Sequence, residues 1–411
     1  MTSAAPATDR GRLAGAARVL DRPLTSYYLV LGVSGILVGL GLVMVLSASS
    51  VTSYRTYGSS YTLFNRQAVW ALVGAVLLLA GSRLSVRAWR LLAYPLLAGS
   101  LVLLALVFVP GLGVEVNGNQ NWVYFGGPFR LQPSEAAKLA IVLWGADLLT
   151  RKERLLVQWK HLIVPLVPVA AVVLMLVLMG GDLGTALVLI GIVGALLFFA
   201  GAPLRLFGGL LTVAVLLVTW LAMSAEYRVD RLESWLNPFA DYRNSGWQAA
   251  RGIFALATGG WWGLGLGASR EKWGTLPAAH TDFIFAVIGE ELGLLGSIGV
   301  LLLFLALGYA GFRIASRSSD CFVRLAAAAA TFWLVLQATV NIGAVLGLVP
   351  ITGMTLPLVS YGGSSLLPTM LALGMLLSFA RGEPGAEAAL MARRRGWLAA
   401  ARRRLRPRRE G

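Results

Sequence analysis

Ten times along this chain a run of about 17 to 22 residues is almost wholly apolar, and each run is long enough as a helix to cross a hydrocarbon core of ~30 Å. The runs lie near 27–46, 66–82, 90–110, 132–149, 161–179, 185–202, 207–225, 283–307, 325–346 and 365–380. A helix satisfies its own backbone N–H and C=O groups, as lipid demands. The expected fold class is therefore an all-α polytopic membrane protein with about ten transmembrane helices. Composition agrees, with 57% hydrophobic residues, 13% charged residues and a mean hydropathy of +0.74. Soluble domains do not have this balance.

Arg and Lys set the expected orientation. Arg10, Arg12, Arg18 and Arg22 precede the first run, and Arg83, Arg87 and Arg90 fall around the second connection. Arg151, Lys152, Arg154 and Lys160 separate the fourth and fifth runs; Arg205 follows the sixth; Arg313, Arg317 and Arg324 separate the eighth and ninth. With an even number of spans, all of these fall on the side of a tail, Arg381 to Gly411, that holds ten Arg and three Glu. That side is expected to be cytoplasmic. The net charge of +16 thus reads as membrane topology and not as nucleic-acid binding. The domain reading is a cytoplasmic tail (1–26), a transmembrane domain (27–381) containing a large extracytoplasmic loop (226–282) between the seventh and eighth spans, and an Arg-rich cytoplasmic tail (382–411). The last tail either holds anionic membrane lipids, at roughly 1 kcal/mol per basic residue near the surface, or only fixes topology. No cleavable leader is expected, because the first apolar run is long enough to remain an anchor. The lone Cys321 excludes an internal disulfide, and with two histidines it leaves no zinc site.

The segment most suggestive of chemistry is Pro277 to Glu291, where a polar stretch holding His280 and Asp282 runs into the eighth apolar run. An Asp at a helix start feels the positive end of the dipole, whereas nearby hydrocarbon disfavours its charge. Such a carboxylate at headgroup depth is either a base acting on an amphiphilic substrate or a helix cap. His280, two residues away, is a second possible base. The loop 226–282 balances six basic against six acidic residues and carries Trp235, Trp247, Trp261, Trp262 and Trp273. Interfacial anchoring is their default role, and stacking on sugar rings is the alternative. Glu135 and Lys138, three apart, share a helix face and can pair within the bilayer. Pro133 suits the first turn of that helix. Gly263-x-Gly265-x-Gly267 resembles a phosphate loop only superficially, although its amides could meet a pyrophosphate.

Several blocks carry a resemblance: Gln132-Pro133-Ser134-Glu135 to Lys138, Gly180–Thr185, Arg231-Leu232 through Trp235 to Asn237-Pro238-Phe239, and Gly246-Trp247-Gln248. Gly259–Gly267, His280–Phe285, Gly289–Gly293, Asn341–Met354 and Thr355–Ser365 follow in order. Over residues 27–381 the chain resembles the SEDS family (shape, elongation, division and sporulation), and its cell-division branch more than its elongation branch. Where many members have a basic residue before the Trp of the third external loop, this chain reads Asn117-Gly118-Asn119-Gln120-Asn121-Trp122. The resemblance implies a peptidoglycan glycosyltransferase that polymerises lipid II at the outer face of the bacterial cytoplasmic membrane, at the division septum. It implies a class B penicillin-binding protein transpeptidase as partner, beside other division proteins, and no nucleic acid. Asp282 matches the family's essential Asp and is expected to be the general base, with His280 in a binding role. Lys138, Glu135, Arg231, Arg270 and Lys272, with Ser360, Gly362, Gly363 and Ser364 of the last motif, are the expected substrate-binding residues. The leaving diphosphate calls for cations or for a divalent metal (Mg or Mn). Rival readings are a lipid II flippase and a non-catalytic division scaffold.

Overall fold

A computed structural model describes residues 23–116, 119–124, 130–155, 163–209, 235–240 and 246–386, with single positions besides (126, 212, 219, 388 and 391). Helices α1 (Thr25–Tyr57), α2 (Thr62–Arg83) and α3 (Val86–Leu106) come first, and a small sheet follows. Then come α4 (Pro133–Arg151), α5 (Leu166–Met179), α6 (Leu183–Phe199) and α7 (Trp247–Gly259). The chain closes with α8 (Ile284–Arg317), α9 (Cys321–Val345) and α10 (Gly363–Ala380). Six of these helices are long and apolar enough to cross a membrane, and α5 and α6 are shorter apolar helices. The multi-pass helical class expected from the sequence is what is found. Nine of the ten expected spans coincide with described helices; most of the seventh, 207–225, lies outside the described residues, as do Arg231 and the Arg-rich stretch Arg393–Arg409.

The sheet is the addition. Strands β1 (Gly113–Val116), β2 (Asn119–Tyr124) and β3 (Arg130–Leu131) form an antiparallel three-stranded sheet in the order β1-β2-β3. Val114 pairs with Trp122, and the register shifts just after it, so that Glu115 meets Gln120. The hairpin rests on the α5–α6 turn. A Cβ at Gly181 (φ +82°) would lie 2.3 Å from Asn119 Oδ1, and one at Gly180 would lie 2.8 Å from the Gln120 carbonyl. Only glycine admits both the conformation and the contact there.

The core centres on α9, whose Ala326 to Ala330 are all fully buried, and on α4 and α10 around it. Small side chains let these backbones approach closely, which is how helices associate in lipid without a hydrophobic driving force. The two long helices decide the height of everything else. α1 has 33 residues, roughly 50 Å at 1.5 Å per residue, well over a hydrocarbon thickness; α8 has 34 residues, in two helical pieces that meet at Gly293. Ser47 Oγ donates to Glu291 Oε1 (2.5 Å), so these two residues share a level. The apolar run of α1 ends at this level, and the lipid-facing stripe of α8 (Leu294, Leu295, Ile298, Leu302, Leu305, Tyr309) begins just past it. Above it lie Ser47–Tyr57 of α1 and Ile284–Leu292 of α8. At the far end, a Cβ on Gly385 would lie 3.7 Å from Pro23 Cβ, so the two ends of the described chain meet on one face.

Candidate functional site

Above that level the end of α1, the start of α8 and the loop between α9 and α10 enclose a polar layer. Its foundation is in α4. Lys138, 1% exposed, donates to Glu135 Oε1 (2.8 Å) and to Gln337 Oε1 (2.9 Å), and its ammonium lies 5.3 Å from the centre of the Trp333 ring. Gln337 also accepts from Trp333 Nε1 (2.9 Å) and donates to the Thr355 carbonyl (3.1 Å). Thr355 in turn donates to Ser365 (3.1 Å). The expected Glu135–Lys138 pair is present, and it is internal. Lys138 gives two hydrogen bonds to protein acceptors, one on α4 and one on α9, so it braces α4 against α9.

One residue away from a helical start lies Asp282. Phe283 is the N-cap of α8, and Asp282 precedes it. The cap is therefore not the position that Asp282 occupies. Asn341, 2% exposed on α9, donates its Nδ2 both to the Asp282 carbonyl (2.8 Å) and to the Met354 carbonyl (2.6 Å). One amide thus fixes the backbone of the acid to the backbone of the facing loop. The Asp282 side chain is half-buried, and its Oδ2 would be 3.8 Å from a Cβ placed on Gly353. Gly353 has φ +71°, so a side chain there would be strained. Ala278 (φ 54°) and Leu358 (φ 67°), one in each of the two loops around Asp282, also hold left-handed conformations. Non-glycine residues rarely do so, and such positions cluster at functional sites.

Ser360 knits these loops together. Its hydroxyl accepts from the Leu356 N–H (2.8 Å) and donates to the Thr281 carbonyl (2.6 Å). The Tyr361 N–H donates to the His280 carbonyl (3.0 Å), and the two rings meet edge to face at 5.5 Å. Gln67 of α2 donates to the Ser360 carbonyl (3.2 Å) and accepts from the Gly362 N–H (3.1 Å). Ser364 accepts from the Gln132 N–H (3.3 Å) and donates to the Arg130 carbonyl (3.1 Å). A Cβ on Gly363 would strike the Trp70 ring at 2.5 Å. The polar groups of Ser360, Gly362 and Ser364 are thus engaged within the protein, where they build the wall of the site. Burial holds the His280 imidazole below its ordinary value of 6.5, so it is neutral near pH 7. Burial likewise pushes the Tyr361 phenol up, against an opposing pull from Arg66.

Arg66 was not among the residues singled out from the sequence. Its charge acts on the Tyr361 phenol, and it donates to Tyr57 Oη (3.4 Å) and lies 4.8 Å from the centre of the Tyr57 ring. The available signal was its place, an arginine opening an apolar run on the side opposite the Arg-rich tail. Of the expected cations of the large loop, Arg270 and Lys272 lie at a short 3-10 turn, Glu271–Trp273. Lys272 donates to the Gly267 carbonyl, Arg270 is exposed, and Arg55 at the top of α1 donates to the Trp273 carbonyl (3.1 Å). The glycine run is not an anion cradle: its Leu264 and Gly265 amides donate to the Glu290 and Glu291 carbonyls (2.9 and 3.0 Å). Among the described residues no three His, Cys, Asp or Glu side chains cluster as a preformed metal cage would require.

A family model described as "Cell cycle protein", covering FtsW, RodA and SpoVE, matches residues 27–384. The chain is 47% identical over 375 residues to the "Probable peptidoglycan glycosyltransferase FtsW" of Mycobacterium tuberculosis, covering 91% of this chain and 71% of that protein. It is similar to a solved structure described as "Structural coordination of polymerization and crosslinking by a peptidoglycan synthase complex" (TM-score 0.71, 33% identity, 86% of this chain and 97% of that one). It is similar also to the crystal structure of the rod shape determining protein RodA of Thermus thermophilus (TM-score 0.63, 31% identity, 87% and 97%).

Proposed function

We propose, from the premise that this chain belongs to the FtsW–RodA–SpoVE family and is a multi-pass peptidoglycan glycosyltransferase of it, that Asp282 is the general base of glycan polymerisation at the outer membrane face. The observation that carries this reading is the double hydrogen bond from Asn341, which fixes the acid's backbone to the facing loop while its carboxylate lies against Gly353. The substrate is lipid II, an amphiphile whose sugars stand above a pyrophosphate and a polyprenyl tail. The Asp282 carboxylate takes the proton from a sugar 4-hydroxyl as that oxygen attacks the anomeric carbon of a second lipid-linked sugar, and polyprenyl diphosphate leaves. Positioned general-base assistance contributes about 10²–10⁴-fold to rate. The leaving diphosphate is stabilised by preorganised cations, for which Arg66, Arg270 and Lys272 are the exposed or half-exposed choices. Lys138 and Glu135 support the floor, and neutral His280 positions the loop.

The face that bears Asp282 is the extracytoplasmic one under this reading, both termini are cytoplasmic, and the site of work is the septum. The partner is a class B penicillin-binding protein that cross-links the new strand. The test is Asp282→Asn in the purified complex. It should retain fold and partner binding and lose polymerisation by two to four orders of magnitude, whereas near wild-type polymer would remove Asp282 from the base role.

A further inference from the structure

The helix α8 is broken at Gly293 (φ +69°, ψ −165°), and a broken backbone at membrane depth must find other partners. Those partners lie in the turn that follows α7. α7 runs alongside the first turns of α8: Gly252 packs on Phe283, and a Cβ on Gly259 would lie 1.9 Å from the Gly289 carbonyl. From there the chain crosses the break. The Leu264 and Gly265 amides donate to the Glu290 and Glu291 carbonyls, and the Leu294 and Leu295 amides donate back to the Gly260 and Trp261 carbonyls (2.9 to 3.4 Å). The carboxylates then hold Ser269 and Arg270, which follow the turn. Glu290 accepts from Ser269 Oγ (2.5 Å) and the Arg270 amide (3.0 Å), and Glu291 accepts from the Ser269 amide (3.2 Å) and Ser47.

This latch fixes the turn at one height, the level at which α1 turns polar and the lipid-facing stripe of α8 begins. Four large apolar side chains of the turn face outward there: Trp261 (68% exposed), Trp262 (82%), Leu264 (38%) and Leu266 (61%). The other tryptophans of the described loop are engaged or stand elsewhere. Trp235 Nε1 donates to the Gly347 carbonyl and Trp247 Nε1 to the Thr275 carbonyl, whereas Trp273, 59% exposed, lies in the 3-10 turn whose last carbonyl accepts from Arg55. Tryptophan favours the boundary between hydrocarbon and headgroups, where its ring is apolar and its N–H is wet. The patch adjoins Leu294 and Leu295, themselves exposed on the apolar span α8.

We propose that the turn Gly259–Leu266 is a membrane anchor that seats Trp261 and Trp262 in the outer-leaflet interface and, through its latch to α8, sets the height of Asp282. Nine residues of α8 and its lead-in separate Asp282 from Glu291, about 13 Å along the axis at 1.5 Å per residue. Resting on the function proposed above, this height places the base level with the sugars of a lipid-linked disaccharide and above the diphosphate. The occupant of the patch is outer-leaflet lipid; it is not a second copy of the chain and not water.

The test uses the full chain in proteoliposomes with Cys321→Ser. A spin label on Trp262→Cys, with Leu266→Cys as a second site should the first variant fail to fold, is read for collision with oxygen and with a water-soluble nickel chelate. Leu302→Cys serves as the lipid reference and Lys272→Cys as the aqueous one. The anchor predicts oxygen access exceeding nickel access, at a depth between the two references. Nickel access equal to that at 272 would make the turn an aqueous loop, and low access to both reagents would mean a protein covers it; either result overturns the proposal. None of these readings depends on catalysis, so the anchor can fail while Asp282 stands, or the reverse. For the height itself, Trp261→Gln/Trp262→Gln should lower kcat for lipid II polymerisation in vesicles at least tenfold, and Trp261→Phe/Trp262→Phe should restore it. A Gln pair with unchanged kcat would leave no role for the anchor in positioning Asp282.

Discussion

Glu135 and Lys138 lie 2.8 Å apart in a layer where each is at most 5% exposed, so removing one strands the other. Breaking such a pair costs about 3–5 kcal/mol, because a buried charge loses its compensation. Glu135→Ala should therefore lower the thermal unfolding temperature in detergent well before any effect on substrate binding is considered. Replacing both partners by apolar residues of similar volume should recover much of the loss. His280 gives a pH signature with a definite sign. Its folded value lies below 6.5 because burial disfavours the charged ring. Above 6.5 the group is neutral both folded and unfolded, and as pH falls below that value the unfolded chain takes up the proton first. Unfolding temperature should fall as pH drops from 7.5 toward 5, and His280→Gln should lose that component. A His280→Gln profile identical to wild type would mean that the ring is not the group titrating.

At the scale of elements, the latch between α8 and the glycine-rich turn is as consequential as any single side chain. Ala at Gly293 would need a left-handed backbone and would place its Cβ 2.4 Å from the Gly263 nitrogen and 2.6 Å from the Trp261 carbonyl oxygen. Strain of this kind costs of order 1–3 kcal/mol. Gly293→Ala should destabilise the protein by at least that much and expose residues 260–270 to faster amide exchange. Unaltered exchange there would show that the break does not hold the turn. These elements also mark what was legible in the sequence. The spans could be read because apolar length is a one-dimensional signal, and the Glu135–Lys138 pair because three residues bring side chains onto one helix face. The break at Gly293 could not be read, since its backbone groups are satisfied by residues some thirty positions earlier. The same is true of Arg66, which meets Tyr361 across two elements far apart in the chain. The glycine run was legible as unusual backbone but not as the partner of α8. The last motif was legible as important, yet only the fold shows Ser360, Gly362 and Ser364 turned into the protein as its mortar.

On the whole molecule, charge asymmetry and the meeting of the two described ends on one face make a simple geometric claim. With Cys321→Ser as background, Lys272→Cys should react with an impermeant thiol reagent in cells whose outer layers are permeable, and Ser319→Cys should react only after lysis. The reverse pattern would put Asp282 on the cytoplasmic side and remove it from the chemistry proposed. The enzyme reading, the flippase and the scaffold then separate in a single preparation. The full chain and the transpeptidase proposed as its partner are reconstituted in vesicles with lipid II, as wild type and as Asp282→Asn matched for folding and partner binding, and glycan polymer is measured on a gel beside lipid II translocation. The account predicts polymer from the wild type, a loss of two to four orders of magnitude in the variant, and translocation indifferent to the substitution. Equal polymer from both proteins, or translocation that falls with Asp282 while polymer does not, would contradict it.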